Sequence, residues 1–203
     1  MSKIYLIVIS VFLVFNSFAQ EPNKPIFISK HGFDKDMDIE YEKWQLPNGL
    51  TILVHEDHSD PIVYLGVTYH VGSAREQHGK TGYAHFFEHM LCMGSEHAPD
   101  KGQWNFVEEA GGMTNASTSY DETNYFQVFP SNYLERIMFL ESDRMGYAYN
   151  EFNMQAFEAQ RGAVKNEKIE RCHTPLSTFM ILEKLFVDFF PPTHSYNWPI
   201  IGY

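Results

Sequence analysis

The spacing of apolar and polar positions changes along the chain, and each change marks an element. Lys3 precedes a continuous apolar run, Ile4 to Phe15, which ends at Ser17-Phe18-Ala19. A positive start, a short apolar stretch and a small-x-small step read as a secretory leader over residues 1–19. The run is too short to cross ~30 Å of hydrocarbon at ~1.5 Å per residue, so no stable membrane anchor is expected. Residues 20–39 are polar and broken by Pro22 and Pro25, and read as a flexible lead-in. Pro47-Asn48-Gly49 marks a turn. Thr51 to His55 reads as a short strand, and Ile62 to Val71 as a buried strand rich in Val, Tyr and Ile. Together these segments predict a small antiparallel meander.

From Tyr83 the period becomes helical. Phe86, Phe87, Met90, Leu91 and Met93 keep one face apolar until Gly94, a stop signal. Asp100 to Ala110 reads as a second helix, ended by Gly111-Gly112. Met113 to Tyr120 and Asn124 to Phe129 read as strands joined at Asp121-Glu122. Three more helices follow, over Asn132–Gly146, Glu151–Glu170 and Leu176–Phe189. In the first of these, Leu134, Ile137, Met138, Leu140 and Met145 are the expected inward positions. Strands grouped between helices predict an α+β fold: a two-layer sandwich, mostly antiparallel sheet, with helices packed on one face.

Composition narrows the function. The chain has 203 residues, and 26 acidic against 15 basic side chains give a net charge of −11. That balance argues against holding a nucleic-acid backbone. An aromatic content of 16% excludes a disordered acidic tail. Two cysteines are too few for a disulfide scaffold. Cys92 reads as a buried free thiol, with a bridge to Cys172 as the alternative. Ten histidines direct attention to metal chemistry.

His85-Phe86-Phe87-Glu88-His89 places His-x-x-Glu-His on the first helix. The two histidines, four apart, project from one face with Cβ atoms roughly 6 Å apart. That suits two imidazoles on one Zn²⁺ at ~2.0–2.1 Å. Glu88 lies beside the same face and can reach a water there without ligating the metal. On spacing alone, the competing reading is an amphipathic helix whose polar side faces solvent. A third ligand is needed. Glu167 is the best placed by pattern, with Glu158, Glu170 and His173 competing on the same segment.

Four ordered segments then resemble the pitrilysin/insulinase metallopeptidases, the inverzincins, which include the mitochondrial processing peptidases. They are Trp44 to Thr51, Val71 to Glu76 with Thr81 to Met90, Gly111 to Tyr125, and Gln160 to Glu167. The resemblance implies an exported zinc metalloendopeptidase acting on short or unfolded peptides. It makes His85, His89 and Glu167 the zinc ligands and Glu88 the general base for a zinc-bound water. It assigns Asn115 and Ala116 to holding substrate main chain by β-addition.

Two departures stand out. The family often has Glu seven residues before the third ligand; here Gln160 can hydrogen-bond but carries no charge. The family's working unit also has a second, homologous domain that supplies an Arg and a Tyr. Residues 40–203 correspond only to the first domain, expected to be incomplete at its C-terminus. A second peptidase domain or a homologous partner chain is therefore implied. A non-catalytic zinc-binding subunit is the alternative. The leader implies a periplasmic or secreted location.

Overall fold

The computed structural model describes residues 24–31, 39–99, 101–148, 152–173 and 178–203. Residues 1–19, expected to be a leader, lie outside the described residues, as do the side chains of Cys172 and His173. The chain divides into two units, 1–60 and 61–203.

The first unit is a three-stranded antiparallel sheet in the order β1 (Ile26–His31), β2 (Tyr41–Gln45), β3 (Thr51–Val54). The expected turn connects β2 and β3. The Gly49 N–H donates to the Leu46 carbonyl at 2.9 Å, and the Leu50 N–H donates to Asn48 Oδ1 at 3.1 Å. Gly49 sits at φ 90°, a left-handed conformation that glycine adopts without steric cost. Trp44 pairs with Ile52 across the hairpin and packs edge-on against Phe27 of β1, with ring centroids 5.1 Å apart. Two expectations are corrected here. The lead-in is not flexible throughout, because Ile26-Phe27-Ile28 supplies strand-forming side chains that pair with β2. Nor does the meander include Ile62 to Val71, which joins a different sheet.

The second unit holds that sheet, in the order β4 (Ile62–Tyr69), β6 (Thr123–Pro130), β5 (Met113–Thr118), all antiparallel. Its helices are α1 (Tyr83–Leu91), α2 (Gly102–Glu109), α3 (Leu134–Tyr147), α4 (Met154–His173) and α5 (Thr178–Phe189). A 3₁₀ turn at Ser131–Tyr133 takes the place of the first turn expected of α3. In β6, Thr123, Tyr125, Gln127 and Phe129 are buried, and the residues between them are only half-buried. The buried face is the one the helices cover. Phe129 packs with Val107 of α2 and Ile137 of α3, with Val63 and Leu65 of β4 against them. The α+β expectation, helices on one face of an antiparallel sheet, therefore holds.

The inward face of α3 differs from the apolar stripe that was expected. Met138 is 49% exposed and Met145 39%, whereas Glu141, Asp143 and Arg144 are buried. Each of the three is partnered. Glu141 accepts from Gln103 of α2 at 2.7 Å, from Gln127 of β6 and from Arg144. The Arg144 guanidinium lies 3.7 Å over the Tyr125 ring. Polar pairing thus replaces an apolar contact where α3 meets α2 and β6.

Asp143 fastens the loop after α1. Its Oδ1 lies 2.6 Å from His97 Nδ1, and its Oδ2 accepts the His97 backbone N–H at 3.1 Å. The bond to Asp143 raises the His97 pKa above its ordinary value. A raised folded-state pKa adds stability that is complete below the unfolded value of ~6.5 and is lost as pH rises through the folded value. The melting temperature of the chain relative to His97→Asn is therefore expected to fall as pH rises from below ~6.5 through the folded-state value of His97. Parallel melting curves across that range check it.

Candidate metal centre

The loop before α1 prepares the helix to carry charge chemistry. Glu76 accepts the backbone N–H groups of Gly82 at 2.8 Å and Ala84 at 2.7 Å, so a carboxylate caps the positive end of α1. Gly82 takes φ 94°, and a Cβ there would lie 2.7 Å from the Ile201 carbonyl oxygen. Only glycine allows the C-terminal segment to pack so closely on the helix start. That segment is held by the Trp198 indole N–H donating to the Ser73 carbonyl at 3.0 Å, and by Lys168 Nζ donating to Gly202 O at 2.8 Å.

The polar face of α1 does not look into solvent. His85 is 6% exposed and Glu88 8%. Helix α4 packs against that face, as the distant Glu167 requires if it is to be the third ligand. Glu167 Oε2 lies 3.5 Å from His85 Nε2 and 3.3 Å from His89 Nε2. A tetrahedral site with bonds of ~2.1 Å has ligand–ligand edges of about 3.4 Å, which the two distances to Glu167 match, and all three ligand atoms lie within 4.8 Å of one another. Among the described residues, these three form the one group of His, Cys, Asp and Glu suited to a metal. Glu158 instead pairs with Arg161 in solvent at 3.1 Å, and Glu170 is exposed.

The protonation chemistry agrees with the donor set. Burial pushes the His85 imidazole down to about 4, so it is neutral at physiological pH with a lone pair to offer. His89 Nδ1 lies 3.3 Å from Gln160 Oε1. A proton on Nδ1 leaves Nε2 bare toward Glu167. Gln160 thus meets the His89 ring by hydrogen bonding without a charge. Its Nε2 donates to Met93 Sδ at 2.6 Å. Burial raises the Glu88 pKa, and the Thr118 hydroxyl, donating to Glu88 Oε2 at 2.5 Å, works against that rise. Cys92 is a free thiol beside the site, and desolvation pushes it up to about 12, which leaves it unreactive.

A cleft of about 610 Å³ opens onto this group. Asn115 and Ala116 line it from β5, which among the described residues is an edge strand with β6 on one side only. Ala116 shares the helix-facing side with Thr118, while Asn115 points the other way and accepts the Ala116 N–H at 2.9 Å. Trp104, Ile200 and Ile201 add apolar wall. Sequence patterning did not single out Thr118, Arg171, Glu183 or the Ile200–Ile201 wall. Arg171, four residues after Glu167, was accessible to the i,i+4 rule. Thr118 needed the β5–α1 contact, which no local pattern reports.

Among the described residues, no helix is long and apolar enough to cross a membrane. Residues 51–188 match the family model described as Insulinase (Peptidase family M16). "Zinc protease PqqE" of Helicobacter pylori is 30% identical over 164 residues, which cover 80% of this chain and 36% of that protein. The crystal structure of a protease from Helicobacter pylori superposes with a TM-score of 0.72 at 28% identity, over 80% of this chain and 38% of that one. The periplasmic protease PqqL from Escherichia coli superposes at 0.69 and 26% identity, over 85% of this chain and 19% of that one. The chain thus spans well under half the length of these relatives.

Proposed function

Since this chain belongs to the insulinase family of peptidases, family M16, we propose that it carries the zinc and general-base half of a metalloendopeptidase. His85, His89 and Glu167 would hold the metal, and Glu88 would be the base. The observation that carries this reading is the placement of one Glu167 oxygen at 3.3 and 3.5 Å from the two imidazole Nε2 atoms. Zinc, when held there, acidifies water and polarises a peptide carbonyl.

The chain's own residues supply the rest. Glu88 takes a proton from the attacking water and returns it to the leaving amine. Its raised pKa brings proton uptake closer to neutral pH. The Thr118 hydroxyl bonds one carboxylate oxygen and leaves the other to act. The outer side of β5 at Asn115 and Ala116 can accept an extended peptide as an added strand. Main-chain pairing of that kind favours short or unfolded peptides over any one sequence. Residues 1–19 read as a secretory leader, and with that reading the site of action is proposed to lie outside the cytoplasm, in the periplasm or secreted. A second peptidase domain or a homologous partner chain is proposed to complete the substrate chamber.

The test is cleavage of a quenched fluorescent peptide by the zinc-loaded 203-residue chain supplemented with a second peptidase domain of the family, which completes the chamber. Activity lost on chelation and restored by zinc is the expected outcome. Cleavage indifferent to chelator would contradict it.

A further inference from the structure

Arg171 lies one helical turn beyond Glu167 on α4, and its Nη2 donates to Glu167 Oε1. The other oxygen, Oε2, is the one between the two imidazoles. The carboxylate therefore divides its oxygens between a guanidinium and the metal-facing side. A glutamate carboxylate rotates over a broad range about its last bond. A charge-assisted hydrogen bond to one oxygen fixes the plane and aims the second oxygen. Arg171 also lines the cleft, with Glu183 of α5 beside it. The Arg161–Glu158 pair on the same helix has both side chains about half exposed and lies away from the cleft.

We infer that Arg171 is a positioning residue, holding Glu167 Oε1 so that Oε2 is presented to the metal between His85 and His89. The inference rests on the reading of those three residues as zinc ligands. It has a distinguishing sign. A guanidinium near a bound cation repels it, so charge alone predicts that removing Arg171 tightens zinc binding. Orientation of the ligand predicts that removing it loosens binding.

The experiment is zinc affinity of the full 203-residue chain, read by competition with a chromophoric chelator. Arg171→Gln, Arg171→Lys, Arg161→Gln and Glu167→Gln are compared with the unaltered chain. Arg171→Gln is expected to weaken zinc binding by about 10-fold or more, within the range for residues that orient ligands. Arg171→Lys, which still donates to Oε1, recovers part of that loss, and Arg161→Gln changes nothing. Circular dichroism of the zinc-free proteins separates lost folding from lost affinity, and Arg171→Met, which keeps the aliphatic stem, replaces Gln if Gln unfolds. Affinity for Arg171→Gln equal to or tighter than the unaltered chain, with Glu167→Gln weakened, overturns the inference alone. If Glu167→Gln also binds zinc as the unaltered chain does, the ligand assignment falls and the inference falls with it.

Discussion

Glu88→Gln is expected to lower the rate of peptide cleavage by roughly 100- to 10,000-fold while bound zinc stays at the level of the unaltered chain. The amide keeps the shape of the carboxylate and can still accept the Thr118 hydroxyl through its oxygen. What it loses is the capacity to take a proton from water. The side chain is buried and does not belong to the metal-facing trio, so neither folding nor metal content should follow the change. Cleavage of a quenched peptide and zinc content, measured on one preparation, separate the two effects. A fall in both would mean that Glu88 supports the metal rather than the reaction.

Glu141→Ala is expected to destabilise the chain by about 3–5 kcal/mol, the usual consequence of removing one partner from a buried ion pair. Glu141 receives three donors, from Gln103, Gln127 and Arg144, in the contact between α3, α2 and β6. Arg144 is 4% exposed, and without Glu141 the Tyr125 ring is what faces its guanidinium among the described residues. One further nitrogen of that guanidinium, Nη1, is already buried without a hydrogen bond. Glu158→Ala removes an ion pair of the same spacing, but an exposed one, and should cost at most about 1 kcal/mol. Urea unfolding of both variants gives the comparison directly. Equal midpoint shifts for the two would contradict this account of α3.

The contrast between those two glutamates also marks what the sequence could reveal. Period and stop signals located α1, β5, β6 and the later helices to within a few residues, because their apolar spacing is regular and turn residues such as Gly94, Asp121-Glu122 and Pro191-Pro192 separate them. For α3 the same logic placed Leu134, Ile137 and Leu140 inward correctly but not Met138 and Met145. A pattern of apolar residues treats Glu141, Asp143 and Arg144 as solvent-facing, whereas their partners come from α2, β6 and the loop after α1. Non-local pairing leaves no periodic trace. Likewise, β4 and β3 follow each other along the chain yet belong to different sheets, since β3 pairs with the neighbouring β2 while β4 pairs with β6, more than fifty residues away.

At the candidate site, the helix spacing of His85 and His89 was sufficient to put both imidazoles on one face. Bringing Glu167 to them depended on α1 packing against α4, which spacing allows but does not require. Pattern put Glu167 ahead of Glu158, Glu170 and His173, resemblance to the family made it the ligand, and the distances agree with it. Gln160 was noticed as a departure, and its contact with His89 Nδ1 gives it a role that needs no charge. The close approach of Gly82 to the C-terminal Ile201 could not be anticipated from either segment alone.

The central claim is that His85, His89 and Glu167 hold one zinc ion. Native mass spectrometry of the zinc-loaded chain, alongside His85→Ala, His89→Ala and Glu167→Ala, tests it most directly. One zinc per chain, lost from each of the three variants, is the predicted result. A chain that binds no zinc, or a zinc ion that survives all three substitutions, would contradict it.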